Sequence, residues 1–285
     1  MVRDSRPGRL EDDPFDRIET RAPDTPNQPQ TIRVVIQPGQ NNPFEPFMRG
    51  FFDVPQTKVI KHEGSFFHFS QIELKDLFIS LIAFSLGLSF VFNGGLMGGM
   101  LQLGPALIFT IPYFFILSSI AFGPAFIIHE LAHKFVARHY GCWAEFRADY
   151  KGLRTGVLIA FFIGFLFMAP GAVMVAGRVG RKENGIISIA GPIANIVLFF
   201  IGMIGGGLLL SVLFHPILAE TVGLWMWGNA ILGAFNMLPF GPLDGAKVKN
   251  WSEPIFWLFL AITLGLVFTM FNGMSISIME SIAGI

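Results

Sequence analysis

Two histidines and a glutamate in this chain have the spacing that a hydrolytic metal site requires. His129 and His133 are four residues apart, so on a helix their imidazoles share one face and can bind the same ion. Glu130 lies between them and suits a general base that takes a proton from a metal-activated water. Because the chain has only six His, a chance occurrence of this HExxH pattern, the zinc-binding core of many metalloproteases, is rare.

The motif lies in one of the most hydrophobic stretches of the chain. The three residues before it are Phe126, Ile127 and Ile128, and the run back to Gly104 carries no charge. A carboxylate and two imidazoles inside a membrane helix are energetically costly. The sequence therefore favours a functional site over a group of polar side chains that only pair with other buried groups.

The composition is that of a multi-pass membrane protein. Of the 285 residues, 52% are hydrophobic, and several apolar runs approach or exceed the roughly 20 residues that span a bilayer. We predict an all-α polytopic membrane protein with five to six transmembrane helices, a re-entrant hairpin element and a disordered N-terminal tail. The zero net charge gives no bulk attraction to nucleic acid, and the single cysteine, Cys142, excludes an internal disulfide.

The N-terminal segment differs in kind from the rest of the chain. Residues 1–60 contain nine of the 18 Pro and many charged residues, which predicts a flexible soluble tail. Residues 70–272 form the predicted membrane-embedded domain. Residues 273–285 are predicted to be a short C-terminal tail.

Apolar runs and helix breakers define the predicted elements of the membrane domain. Ser70-Gln71-Ile72-Glu73 has the pattern of a capping box that opens a helix over 71–92. A loop over 93–104 follows, and then a long run over 105–140 that Pro112 and Pro124 kink or divide. The later segments are a polar stretch at 141–155, an apolar run at 156–176, a basic loop at 178–184, and apolar runs at 186–214, 222–239 and 254–271.

The apolar run at 156–176 decides the topology. Lys and Arg mark the cytoplasmic side of membrane helices. If the run crosses the membrane, the basic loop at 178–184 and the pair Lys247 and Lys249 fall on opposite sides, whereas a run that dips in and returns puts both on the cytoplasmic side. We prefer the re-entrant form, with the Pro170-Gly171 break near its turn or return arm, and keep a sixth spanning helix as the alternative.

Two histidines and a water leave one position of a tetrahedral zinc site for a third protein ligand. His139 has the spacing of the HExxHxxGxxH metalloproteases, but Val136 stands where that pattern has its Gly turn. A continuing helix would rotate His139 about 120° away from the face of His129 and His133. Asp244 is the stronger candidate, since it is one of the few acidic residues of the later apolar runs and follows helix-breaking Pro and Gly residues. A simple surface turn is its structural alternative.

Together these motifs resemble the site-2 protease family of intramembrane zinc metalloproteases. HExxH in a membrane helix is followed about a hundred residues later by an Asn-x-x-Pro-x-x-x-Leu-Asp-Gly segment, and the similarity covers roughly residues 119–250. The resemblance implies that His129, His133 and Asp244 bind one zinc ion and that Glu130 is the catalytic base.

The same resemblance suggests substrate contacts. It implies that Asn236, the first residue of the second motif, holds the substrate backbone or the developing oxyanion. The segment Gly191-Pro192-Ile193-Ala194-Asn195 matches the Gly-Pro-x-x-Asn pattern of the family, which makes Asn195 a candidate for substrate contact or for an interhelical hydrogen bond. The run at 156–176 lies where the family has a membrane-dipping hairpin that can pair with an extended substrate. Phe240-Gly241 and the long N-terminal tail depart from the family pattern.

The predicted reaction is hydrolysis of a peptide bond within or beside a transmembrane helix of a membrane protein substrate, with one Zn²⁺ per chain. We expect an integral protein of the cell membrane, surrounded by the lipid bilayer, whose active site opens toward the cytoplasmic side. A catalytically silent zinc-binding scaffold is the alternative, and the intact Glu130 argues against it. A divalent-metal transporter would need more polar residues along its helices. The sequence leaves the oligomeric state open.

Overall fold

The computed structural model describes residues 66–166, 168, 170–177 and 179–285. The predicted flexible tail at 1–60 lies outside these residues. The elements, in chain order, are the helices α1 (Gln71–Phe92), α2 (Gly95–Leu103) and α3 (Leu107–His139), the strand β1 (Trp143–Ala148), the helix α4 (Tyr150–Ile163), the strand β2 (Gly171–Ala176), and the helices α5 (Arg181–Phe200), α6 (Gly206–Val212), α7 (Pro216–Asn236), α8 (Asp244–Trp251), α9 (Glu253–Phe271) and α10 (Met274–Ala283).

The long helices confirm an all-α membrane protein. In the described part of the chain, four helical segments are long and apolar enough to cross a membrane: α1, α2 with α3, α5 with α6, and α9. The helix α7 is also 21 residues long, but Glu220 and Asn229 make it less apolar. The helices α1, α5 and α7 pack against α3, and the HExxH residues lie in the second half of α3.

The helix α1 begins and ends where the sequence predicted, but its capping box is only half formed. The Ser70 hydroxyl accepts a hydrogen bond from the Glu73 amide at 3.2 Å. The Glu73 carboxylate turns away from Ser70 and pairs with Lys134 of α3. The first turn of α1 therefore connects this helix to the helix that carries the HExxH residues.

One prediction about the next segment was wrong. The predicted loop at 93–104 is helical as α2. The polar backbone groups of an apolar segment that has no water around it must form their hydrogen bonds with each other, as in a helix. The helix α3 continues for 33 residues through both Pro112 and Pro124, so neither proline ends it. Glycine and proline are tolerated in apolar helices when neighbouring helices pack against the weakened turns.

The segment between α3 and α5 leaves and returns to the same end of the molecule. β1 and β2 pair antiparallel, with Trp143 opposite Ala176 and Ala148 opposite Gly171, and α4 lies between them in the chain. At the start of α5, the Arg181 side chain donates to the carbonyl of Asn250 in α8. The start of α5 and the lysines of α8 therefore lie at one end, as the re-entrant prediction requires. A crossing helix would have put them at opposite ends.

The C-terminal residues form a packed helix where a short tail was predicted. Met279 and Ala283 of α10 are buried in a cluster with Phe199, Leu210 and Met226. A π-helical turn at Ile201–Gly205 joins α5 to α6, and Ile282 of α10 packs against Gly207 of α6. The apolar face of α10 is thereby removed from solvent, and this explains why the segment is helical.

Candidate active site

Two ligand atoms on α3 and one from a distant part of the chain converge. The Nε2 atoms of His129 and His133 are 3.1 Å apart. The Oδ2 atom of Asp244 lies 3.3 Å from the first and 3.0 Å from the second. All three residues are buried, and within the described residues they form the one cluster of His, Cys, Asp and Glu side chains with this geometry.

The second nitrogen of each imidazole has an acceptor that fixes its proton. His133 Nδ1 lies 2.8 Å from the carbonyl of Ile187, and His129 Nδ1 lies 2.6 Å from Oδ1 of Asn195. Both Nδ1 atoms must therefore carry the hydrogen, which leaves the Nε2 lone pairs directed at Asp244. Hydrogen bonds of this kind orient metal-binding histidines and raise their basicity.

The donor set fits a zinc ion. Two imidazole lone pairs and one carboxylate oxygen converge, and none of the three donates a hydrogen to another, so a cation is needed to satisfy them. Ligands at about 2.1 Å from a tetrahedral zinc are about 3.4 Å apart, close to the distances here. Three protein ligands leave the fourth position open, as in catalytic zinc sites.

Gly191 of α5 leaves space beside the ligands. A Cβ atom at this position would lie 2.5 Å from the Nε2 atoms of both His129 and His133. Any larger residue would therefore occupy the space next to the two lone pairs. The Gly-Pro pair within α5 thus has a physical role: the missing side chain lets this helix pass close to the metal-binding atoms.

Asp244 reaches the histidines because the chain breaks after α7. Pro239, Gly241 with a φ of +64°, and Pro242 prevent the helix from continuing, and α8 then starts at Asp244. A side chain on Gly245 would clash with the Met237 carbonyl, so the turn needs a glycine immediately after the aspartate. Asp244 is held at its other oxygen by Lys247 Nζ, at 3.2 Å.

Glu130 lies beside the cluster but outside the ligand set. Its side chain is buried, and it is close enough to interact electrostatically with Asp244 and Lys247. The backbone N–H of Val173 in β2 lies near its carboxylate. This strand amide therefore faces the proposed base.

The remaining predicted residues have different surroundings. Asn195 is fully buried; besides accepting from His129, its amide donates to the Ala125 carbonyl and to Asn229 Oδ1, so it makes the interhelical contact that the sequence left as one alternative. Asn236 ends α7 and donates to the Leu232 carbonyl at 3.0 Å. His139 is exposed at the end of α3 and takes no part in the cluster, as the rotation of the helix predicted.

Sequence reasoning missed several groups that complete the site. Asn229 of α7 and the Ile187 carbonyl support the two histidines, and Val173 contacts Glu130. Asn229 is a polar residue in an apolar helix, which is a signal for function. A backbone carbonyl or amide has no signature in the sequence, so Ile187 and Val173 could be found only from the fold.

Comparison with known proteins identifies three relatives named as zinc metalloproteases. The chain is 39% identical over 207 residues to "Putative zinc metalloprotease MJ0611" of Methanocaldococcus jannaschii, covering 70% of this chain and 94% of that protein. It is 31% identical over 143 residues to "Putative zinc metalloprotease YwhC" of Bacillus subtilis, covering 44% of this chain and 63% of that protein.

A third relative, "Zinc metalloprotease MJ0392" of Methanocaldococcus jannaschii, is 25% identical over 123 residues, or 43% of this chain and 30% of that protein. No family model matches the chain, and no solved structure matches it. The first similarity extends over nearly the whole relative, and the buried two-histidine, one-aspartate cluster fits the metal in its name. The chain therefore belongs to the zinc metalloprotease family.

Proposed function

We propose that this chain is an intramembrane zinc metalloprotease that resembles the site-2 protease family and hydrolyses peptide bonds within or next to transmembrane helices of membrane proteins. The observation that carries the proposal is the convergence of His129, His133 and Asp244, each less than 10% exposed, within a bundle of long apolar helices. A membrane helix can approach a site inside such a bundle laterally.

The roles of the site residues follow from their positions. His129, His133 and Asp244 hold the metal, which when bound supplies Lewis-acid chemistry by acidifying water and polarising a carbonyl group. Glu130 is the general base: its carboxylate takes the proton from the attacking water and transfers it to the leaving amine. Asn236 contacts the substrate backbone with its second Nδ2 hydrogen or its Oδ1, since the bond to the Leu232 carbonyl uses only one Nδ2 hydrogen.

The outer edge of β2 is suited to hold the substrate in an extended form. In an antiparallel pair, alternate residues direct their amides and carbonyls away from the partner strand. Phe146 and Ala148 of β1 donate outward to Glu73 and Asp76 of α1, so their partners Val173 and Gly171 also face outward, on the opposite edge. A substrate must unwind before hydrolysis, and adding it as a strand beside β2 would keep its backbone groups paired.

We further propose that the site opens toward the cytoplasmic side. Arg138, Arg181, Lys247 and Lys249 lie at or near the end of the bundle where the sheet and the start of α8 are located. Positive residues favour the cytoplasmic side of a membrane. His129 is nine residues from Arg138, or about 13 Å along the helix, so water would reach it from that side.

The test uses the full-length protein and its Glu130→Gln variant in liposomes with a panel of single-pass membrane substrates. Both proteins should contain zinc, and cleavage by the variant should fall by a factor of about 10² to 10⁴, the usual contribution of a general base. Equal cleavage by the two proteins would remove Glu130 from the mechanism. Zinc in both proteins with cleavage by neither would favour a zinc-binding scaffold.

A further inference from the structure

A salt bridge between two completely buried side chains joins α1 to the helix that carries the two histidines. Glu73 of α1 and Lys134 of α3 have no exposed surface, and the Lys134 ammonium donates to the Glu73 carboxylate. Lys134 also donates to the His68 carbonyl at 2.9 Å and lies 3.6 Å from the centroid of the Phe69 ring. Since Lys134 follows His133 directly, the salt bridge is anchored one residue from a metal ligand.

The other oxygen of Glu73 holds the sheet. The backbone N–H of Phe146 in β1 donates to Glu73 Oε1 at 3.1 Å. Phe146 is opposite Val173 of β2, and in such a pair both amides point away from the sheet in opposite directions. The Val173 amide accordingly points away from β1, on the side of the sheet where the Glu130 carboxylate lies.

These groups form a ring that begins and ends on α3. From Lys134 the ring passes to Glu73, then to Phe146, across the sheet to Val173, and back to Glu130. Glu130 and Lys134 are four residues apart, one turn of the same helix. The Glu73 contacts set the position of the sheet, and with it the distance between β2 and the Glu130 carboxylate.

Stability alone does not explain this salt bridge. Removing two charges from water is costly, and well-packed apolar residues of similar volume often stabilise a protein as much as a buried ion pair does. A salt bridge does, however, fix the separation of two helices and the direction of the Glu73 carboxylate. Its geometric effect is therefore the better explanation for its presence.

We propose that Glu73 and Lys134 are positioning residues that set the outer edge of β2 at the distance from Glu130 that peptide hydrolysis requires. The proposal rests on the proposed function, in which Glu130 is the base and β2 carries the substrate. Neither residue touches the metal or the substrate. Both act through the sheet, and a displacement of about 1 Å in such an arrangement can lower the rate a hundredfold.

The double variant Glu73→Gln with Lys134→Met breaks the link between α1 and α3 without leaving an unpaired buried charge. Each single variant leaves one buried charge without a partner and is expected to fold poorly. The double variant leaves no buried charge at this pair. The side-chain amide introduced at position 73 can still accept from the Phe146 N–H, but the connection to α3 is lost.

For the double variant we expect wild-type zinc content and a melting temperature close to that of the wild type. The kcat for a membrane substrate should fall tenfold to a hundredfold, roughly the effect of a misplaced reacting group, with little change in KM. Hydrogen–deuterium exchange should become faster in the peptide that contains residues 171–176, a readout that does not depend on cleavage.

The matched control is the double variant Glu145→Gln with Arg147→Met. Glu145 is also buried, and its carboxylate lies 2.8 Å from the Arg147 guanidinium, but this pair is outside the ring. Its kcat and its exchange at 171–176 should be those of the wild type. A ring variant with unchanged kcat and unchanged exchange would overturn the positioning role. If the wild type cleaves nothing, the proposed function fails, while the exchange result still decides whether the ring holds β2.

Discussion

The two sides of the candidate site differ in kind: one consists of side chains and the other of backbone. The metal side consists of side chains, His129, His133 and Asp244, whose orientations are fixed by Asn195, by the Ile187 carbonyl and by Lys247. The opposite side consists of the backbone of β2, of which one amide faces Glu130. The metal side rests on tightly packed long helices, whereas the strand side rests on a two-stranded sheet held by carboxylates of α1.

This difference separates metal binding from substrate handling. Changes among the buried side chains of the metal side should weaken or abolish zinc binding and thereby abolish turnover. Changes in the strand or in its supports should leave the zinc in place and alter only the rate of cleavage or the use of substrate. Zinc content measured beside cleavage therefore tells which side of the site a variant affects.

The largest effect is expected for His133→Ala on the metal side. Loss of one of three protein ligands should reduce zinc to a small fraction of one ion per chain and cleavage to background. His139→Ala is the matched control, since this exposed histidine lies on the same helix outside the cluster, and it should keep both properties. Loss of zinc from the His139 variant would instead favour the alternative third ligand.

A single methyl group placed beside the ligands should also displace the metal. Gly191→Ala puts a Cβ atom 2.5 Å from both Nε2 atoms, so the ligands must move and little zinc should remain bound. Gly265→Ala in α9 is the control, because nothing lies within 4 Å of a Cβ atom there. Zinc affinity measured by competition with a chelator would reveal the difference, and equal affinities would show that the space beside Gly191 is not needed.

A smaller effect distinguishes two asparagines. Asn195→Ala removes the acceptor that orients His129 and should weaken zinc binding by about 10- to 100-fold, as is usual for such partners. Asn236→Ala should keep the zinc affinity and lower only kcat/KM for the substrate. The reverse pattern would exchange the roles of the two residues.

The smallest effect is expected on the strand side. Val175→Pro removes one outward-facing amide of β2, a position at a sheet edge where proline is tolerated, and should raise KM severalfold while zinc content stays constant. Val175→Thr keeps the amide and changes only the side chain, so it should behave as the wild type. An unchanged KM in the proline variant would argue against pairing of the substrate with this edge.

The sequence predicted the metal side better than the strand side for a physical reason. His129, His133 and Asp244 were recognisable because their side chains carry the chemistry and because polar groups stand out in apolar helices. The family resemblance placed Gly171–Ala176 within a hairpin that can pair with a substrate, but the residues alone did not identify a strand, since a short apolar segment has no periodicity that separates strand from helix.

Contacts between residues far apart in the chain were the other feature that the sequence did not predict. Glu73 fits a capping box by local pattern, yet its carboxylate binds Lys134, 61 residues away. In the same way, the loop predicted at 93–104 lacks the apolar periodicity of a helix but is helical because its backbone has no water to bind. The tertiary environment, which a local pattern does not contain, decided both cases.

The central claim is that two imidazoles and one carboxylate of this chain hold one zinc ion. The most direct test is zinc content together with X-ray absorption at the zinc edge, on the full-length protein and its Asp244→Ala variant. The account predicts one zinc per chain in the wild type, with two nitrogen ligands and at least one oxygen ligand at about 2.0–2.1 Å, and little zinc in the variant. A wild-type protein without zinc, or a variant with the same zinc content and the same spectrum, would contradict it.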